Sequence, residues 1–145
     1  MPSIASIALT CPAIDPRRSA PFLGGGFGHF YSYAPVHIQY AIDRYATEAK
    51  RQLDVLDKHL ADKPFICGHE YTIADMAIFP WILCLSRGYK ADAFLALHEY
   101  AAVRRWSDAL LARPAVQRGL RVGAAGDNAV RERHSADDFL PKQGQ

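Results

Sequence analysis

Five aromatic rings and one histidine crowd into residues 21–34, Pro-Phe-Leu-Gly-Gly-Gly-Phe-Gly-His-Phe-Tyr-Ser-Tyr-Ala. The rings belong to Phe22, Phe27, Phe30, Tyr31 and Tyr33, with His29 among them. Apolar bodies with hydroxyl or imidazole tips suit a binding site with apolar walls and a few polar groups. The same side chains would equally pack the stretch onto a neighbouring helix or a partner domain. The glycines Gly24, Gly25, Gly26 and Gly28 invite a phosphate-loop reading, which fails. No strand precedes them, no Gly-Lys-Ser/Thr follows, and the next helix begins several residues later. The plain reading of the glycines is a flexible connector, although connectors of that kind are seldom aromatic.

Arg44 and Arg51 lie one heptad apart with Glu48 between them. They read either as a salt-bridged surface worth a few tenths of a kcal/mol or as two guanidinium forks for a carboxylate ligand. The other chemistry-bearing residues form no set. His29, His37, His59, His69, His98 and His134 are not spaced to share a helix face, and Cys67-Gly68-His69 lacks a second ligand pair, so no metal site is expected. Cys11, Cys67 and Cys84 are odd in number and widely spaced, as reduced cytoplasmic thiols would be. Cys84 falls in an apolar helix and reads as an inert buried thiol. Thr72 and Asp75 are catalytic types, but their spacing approximates a capping box, with Tyr71 and Met76 placed for a hydrophobic staple. Residues alone supply no complete catalytic set.

The elements that would carry these groups are helices. Ile38, Ile42, Tyr45, Ala49, Leu53, Leu56 and Leu60 recur at steps of three and four, predicting a long helix over 35–62 opened by Pro35. Asp62-Lys63-Pro64 ends it. The helix from Ile73 to about Ser86 is apolar nearly all round and so belongs in the core, with Pro80 bending it or freeing a carbonyl one turn earlier. Ala91–Leu97 reads as a short helix, 98–112 as another, and Pro114 opens a last one through Leu120. No strand alternation and no repeat is found; the expected fold class is all-α.

A chain of 145 residues suits one domain, and half of them are hydrophobic. The net charge of +2 is too small to imply nucleic acid or an anionic membrane as partner. No apolar run approaches the roughly 20 residues of a membrane-spanning helix. The expected organisation is an N-terminal arm at 1–20, a helical domain at 21–122 and a polar tail at 123–145.

Two stretches then bring a family into view. Glu70-Tyr71-Thr72-Ile73-Ala74-Asp75-Met76-Ala77-Ile78 resembles the capping-box segment of glutathione transferase C-terminal domains. Trp106 with Ala112-Arg113-Pro114-Ala115-Val116 is similar to the pattern further along that domain. Residues 19–35, 50–57 and 131–139 resemble more narrowly the bacterial nu-class-like branch, whose members are glutathione-dependent disulfide-bond oxidoreductases. The resemblance implies a helical bundle, glutathione as cosubstrate, and a small disulfide as second substrate. It implies that Phe27, His29, Tyr31 and Tyr33 line the glutathione cleft from the helical side, with Arg44 and Arg51 candidates for a glutathione carboxylate. The family's thioredoxin-like half, which contacts the glutathione sulfur, is not in this sequence, and residues 1–18 do not resemble the first helix of the helical domain. The expectation is therefore a chain incomplete for catalysis alone: a homodimerising or binding module, a partner to a thioredoxin-like domain, or a truncated remnant.

Overall fold

The structure, a computed structural model, describes residues 20–122, so nearly all of the expected arm and the whole expected tail lie outside the described residues. The described part is all-α. Among the described residues there is no strand, only an isolated bridge in which Phe65 and Gly68 exchange backbone hydrogen bonds of 3.0 Å. That turn needs its glycine, since Gly68 has φ +102°.

A glycine-rich helix runs Ala20–Tyr33, followed by α1 (Gln39–Leu60), α2 (Ile73–Leu83), α3 (Ala101–Leu111) and α4 (Pro114–Gly119). The chain divides into two compact units, one up to Ala109 and one from Leu110 onward. In the second, Pro114 occupies the first turn of α4 as expected, and Gln117 Nε2 donates to the Leu111 carbonyl at 2.6 Å.

Residues 21–34 are not a flexible connector. All but the last are wound into the glycine-rich helix, whose hydrogen bonds span five residues, a π-helical winding that most proteins use for a single turn. It packs mainly against α1 and also against α2. The glycines explain how it gets so close. A Cβ on Gly24 would lie 2.6 Å from the Trp81 ring, one on Gly26 2.3 Å from the Tyr45 ring, and one on Gly28 2.3 Å from the Tyr89 ring. Three rings therefore press directly on backbone, and the composition that reads as flexibility is a packing device.

The start of α1 also differs from expectation. It begins at Gln39, with Ile38 extended at φ −123°, and the Ile38 carbonyl accepts the first bonds from Ala41 and Ile42. Pro35 disfavours helical backbone at Ala34, so it ends the preceding helix instead of opening this one. Ala34 N–H closes that helix on the His29 carbonyl at 2.7 Å. The core stripe then runs Ile42, Ala46, Ala49, Leu53, Leu56 and Leu60, all buried. Ile38 is exposed, and Tyr45 turns toward the glycine-rich helix.

In α2, Thr72 Oγ1 accepts from Ala74 N–H, and the Asp75 carboxylate accepts from Thr72 N–H at 2.9 Å, forming the expected capping box. Asp75 does more than cap. Fully buried, it also accepts from Ile66 N–H at 3.0 Å and from the Trp106 indole at 2.8 Å, joining the loop before α2 to α3. At the two staple positions, Tyr71 meets the Phe65 ring edge-on and Met76 is half-exposed. Helix α2 is not buried all round. Ala74, Ile78, Phe79, Ile82 and Leu83 face the core, while Ile73, Met76 and Pro80 lie exposed on the other side. Pro80 does not interrupt the helix; its exposed face leaves the carbonyl it frees within reach of water. A π turn, Cys84–Gly88, continues the helix.

The expected helix at 91–97 is instead a set of turns leading to a single 3₁₀ turn at Leu97–Glu99. Ala96, in left-handed backbone at φ 53°, breaks any helix there. α1 and α3 are then tied reciprocally. Asp57 Oδ1 caps the first turn of α3 by accepting from Val103 N–H at 2.9 Å, and Arg105 donates to the Leu60 and Lys63 carbonyls at the end of α1.

The glycine contacts make a paired prediction. Gly26→Ala should cost about 1–3 kcal/mol in urea unfolding, because the Tyr45 ring cannot flex away as a side-chain tip would. Gly25→Ala meets nothing within 4 Å and should be neutral or stabilising by up to ~1 kcal/mol. Equal effects at the two positions would mean that the segment is not packed as described.

Candidate functional site

The glycine-rich helix presents its rings in two groups. In the first, fully buried Phe27 stacks on Tyr31 at 4.9 Å and on Phe94 at 6.1 Å, and meets Tyr89 edge-on at 6.4 Å. Tyr33 meets Tyr89 edge-on at 5.8 Å. In the second, Phe30 stacks on Tyr45 of α1 at 5.5 Å, with exposed His29 edge-on to Phe30 at 5.0 Å and Phe22 tilted on Tyr45.

The structure thus brings Phe27, Tyr31 and Tyr33 into one cluster and sets His29 beside the other. Phe27 lies beneath the surface as the anchor of its cluster. Tyr31 is half-buried and Tyr33 is 65% exposed, so these two carry hydroxyls to the outside. Among the described residues no hydrogen bond engages the hydroxyls of Tyr31, Tyr33 or Tyr89. Burial, then Cys84 and Tyr33, push the Tyr89 hydroxyl above the ordinary tyrosine range, so it remains a donor through neutral pH. Tyr89 and Phe94 belong to this cluster although periodicity gave no reason to select them. The signal available was their aromatic type next to Gly88, in a segment of weak helical pattern.

The arginines form a separate group on the polar flank of α1. Arg51 is committed: its Nε donates to one Glu48 oxygen at 3.0 Å and its Nη2 to the other at 2.6 Å, the surface pairing foreseen as the plain alternative. Buried Gln52 adds a bond to Glu48 at 3.2 Å. Arg44, exposed and one turn before Glu48, acts on it through charge alone and keeps its guanidinium donors unengaged among the described residues. The Arg51 hydrogen bond leads in holding the Glu48 carboxyl below the ordinary range; partial burial opposes it, while Gln52 and the charges of Arg51 and Arg44 reinforce it.

Cys84 is a free, half-buried thiol pushed up by burial, and so stays protonated instead of acting as a thiolate. Thr72 and Asp75 are spent on the cap and the Trp106 bond. Among the described residues no group of three His, Cys, Asp or Glu is placed to hold a metal ion, and no helix is long and apolar enough to cross a membrane. Among the described residues this surface offers aromatic faces, hydroxyl donors and the unengaged guanidinium of Arg44.

Residues 39–109, which hold α1, α2 and most of α3, match the family model described as glutathione S-transferase, C-terminal domain. The chain belongs to the glutathione transferase superfamily. It is 54% identical over 128 residues to the disulfide-bond oxidoreductase YghU of Escherichia coli, covering 85% of this chain and 44% of that protein. It is 38% identical over 107 residues to the disulfide-bond oxidoreductase YfcG of the same organism, covering 74% and 47%. Among solved structures, a Burkholderia graminis glutathione transferase with two glutathione molecules bound per subunit superposes with TM-score 0.75 at 33% identity, covering 86% of this chain and 53% of that one. A Streptococcus pneumoniae glutathione transferase YghU complexed with glutathione gives TM-score 0.73 at 44% identity, covering 84% and 49%. The chain spans about half the length of the relatives it matches. It is a glutathione-transferase-like protein resembling the disulfide-bond oxidoreductases through their C-terminal helical domain.

The Glu48 group sets a pH dependence. A carboxyl held below its unfolded value contributes stability that is present above the ordinary glutamate range and is lost as pH falls through the folded value. Arg51 is 46% exposed, so solvent screening limits the contribution to about 0.5 kcal/mol. Melting curves between neutral and acid pH should show Glu48→Gln less stable than wild type at neutral pH, with the two converging on acidification. A gap that widens toward acid would reverse the assignment.

Proposed function

We propose that this chain supplies the helical wall of a glutathione site in a glutathione-dependent disulfide-bond oxidoreductase. The single observation that carries the reading is the surface itself: exposed aromatic groups with unengaged hydroxyls, and an unengaged Arg44, in a chain 54% identical to a protein named for that activity. The glutathione bound in the related structures supports the same ligand.

In this reading Arg44 is the fork for a glutathione carboxylate. Arg51, already paired, holds Glu48 in place and contributes less. His29, Tyr31 and Tyr33 meet the peptide through their polar tips, and Phe27 supports them from below. The sulfur chemistry belongs to glutathione. One glutathione thiolate attacks a disulfide sulfur, forming a mixed disulfide and expelling a thiolate that takes up a proton. A second glutathione thiolate attacks the glutathione sulfur of that mixed disulfide, releasing glutathione disulfide and the second thiol. Two glutathione molecules are oxidised and one disulfide is reduced. The group that activates the attacking thiolate lies outside the described residues in this reading.

A second reading rests on a different observation. Tyr33, Val36, Ile38 and Tyr40 are all exposed over eight residues, and Ile73 and Met76 are half-exposed on α2. Apolar exposure on that scale fits a pairing module, either a homodimer or a partner to a thioredoxin-like domain.

The first reading is tested by thermal melts with millimolar glutathione or glutathione disulfide. Binding at about ten times Kd stabilises by about 1.4 kcal/mol, a rise of several degrees for a domain of this size. Arg44→Glu should abolish the rise and Arg51→Glu should leave most of it. A cooperative melt that does not move removes the glutathione reading. If sedimentation of that same sample also shows a dimer, the pairing reading takes its place.

A further inference from the structure

We infer that Gln52 is a positioning residue: its amide holds the Glu48 carboxylate on Arg51 and so keeps the Arg44 guanidinium open for a carboxylate ligand. The ligand rests on the glutathione reading; the choice that Glu48 makes between two arginines does not. The starting point is an ambiguity of helical spacing. Glu48 lies four residues after Arg44 and three before Arg51 on α1. Both separations bring side chains together on a helix, so one carboxylate is within reach of two guanidinium groups. The Arg51 hydrogen bond leads in holding the Glu48 carboxyl low and the Arg44 charge adds to it, so both arginines act on that carboxylate.

Yet the carboxylate is not shared. Arg51 takes both of its oxygens, and among the described residues Arg44 makes no hydrogen bond to it. Gln52 breaks the tie. Its side chain is buried one turn beyond Glu48, and its Nε2 donates at 3.2 Å to the same Glu48 oxygen that accepts Arg51 Nη2.

The two kinds of partner differ in how firmly they hold. Both arginines are exposed, and exposed arginine–glutamate pairs are weak and readily exchanged. A buried amide has few rotamers open to it, so its donor stays in place, and a hydrogen bond to a charged oxygen is stronger than one to a neutral oxygen. Gln52 therefore anchors the carboxylate toward the C-terminal end of α1, where Arg51 lies, and away from Arg44 one turn in the other direction. Without that anchor Glu48 has Arg44 as a second partner. A carboxylate of the protein seated on that fork competes directly with a carboxylate ligand for the same donors. Gln52 thus serves the ligand site from about two turns away without touching it.

The test combines Gln52→Met, which keeps the length of the side chain but removes the donor, with Glu48→Gln, which removes the competing charge. Calorimetric titration of the full chain with glutathione should show Gln52→Met binding about threefold more weakly than wild type, the worth of one exposed arginine–carboxylate pair. Adding Glu48→Gln should recover the loss, with a larger gain in the Gln52→Met background than in wild type. Equal gains in the two backgrounds mean a merely structural role for Gln52 and overturn the assignment. A second measurement needs no ligand. Double-mutant cycles in urea unfolding, pairing Glu48→Gln with Arg44→Gln or Arg51→Gln, should couple Glu48 to Arg51 in wild type and shift that coupling toward Arg44 in Gln52→Met. Coupling that stays on Arg51 overturns the assignment. Gln52→Leu carries the same comparisons if Gln52→Met does not fold. Failure of wild type to bind glutathione overturns the glutathione reading, and the unfolding cycles then decide the role of Gln52 by themselves.

Discussion

The buried carboxylate of Asp75 is the constraint on which the rest of this fold depends. It has no exposed surface, yet it draws hydrogen bonds from Ile66, Thr72 and Trp106, residues on three different segments. Oxygens that accept hydrogen bonds are costly to remove from water, and that cost is offset only where donors are already in position. Satisfying Asp75 therefore requires the loop before α2, the start of α2 and the middle of α3 to sit correctly at once. Trp106, itself fully buried, carries the same registration to Phe79, which it meets edge-on at 5.8 Å. The Asp57 and Arg105 contacts then fix α3 on α1, so the helix bearing Tyr45, Arg44 and Glu48 is placed by a chain of polar contacts that begins at one carboxylate.

On that scaffold the glycine-rich helix is positioned by subtraction. Where most packed helices interlock side chains, this one removes them at Gly24, Gly26 and Gly28 so that Trp81, Tyr45 and Tyr89 reach its backbone. Close approach brings its own rings against α1 and against the 89–94 segment. The functional consequence is geometric: Tyr31 and Tyr33 are carried outward on a rigid layer whose underside is Phe27. Side chains held this way lose little freedom on meeting a ligand, which favours binding over an equally aromatic but loose loop.

Much of this was legible in the residues. The α1 stripe from Ile42 to Leu60 follows from helical periodicity, and the Thr72–Asp75 box follows from spacing, because both are local rules. The further roles of Asp75 were not legible, since its bonds to Ile66 and Trp106 span 9 and 31 residues. The glycine-rich stretch misled because glycine gives the same local signal for flexibility and for close packing; only the rings opposite it decide between them. Pro35 is ambiguous in a similar way, able to open a helix or to end the one before it. The site was partly legible. Arg44 and Arg51 were equivalent in sequence, and the structure separates them, because Arg51 closes a bidentate pair with Glu48. Tyr89 and Phe94 went unselected because what unites them with Phe27 is a tertiary cluster roughly 60 residues away in sequence, beyond the reach of pattern reading.

The central claim is that the glycine-rich helix and the start of α1 form one face that meets glutathione. The most direct measurement is a ¹H–¹⁵N NMR titration of the chain with glutathione disulfide, with the Trp106 indole signal as an internal report on the Asp75 core. The account predicts saturable shifts at His29, Tyr31, Tyr33, Arg44 and Tyr89, while the Trp106 indole stays in place. Shifts confined to other surfaces, or no shifts at millimolar ligand with the core signals intact, would contradict it.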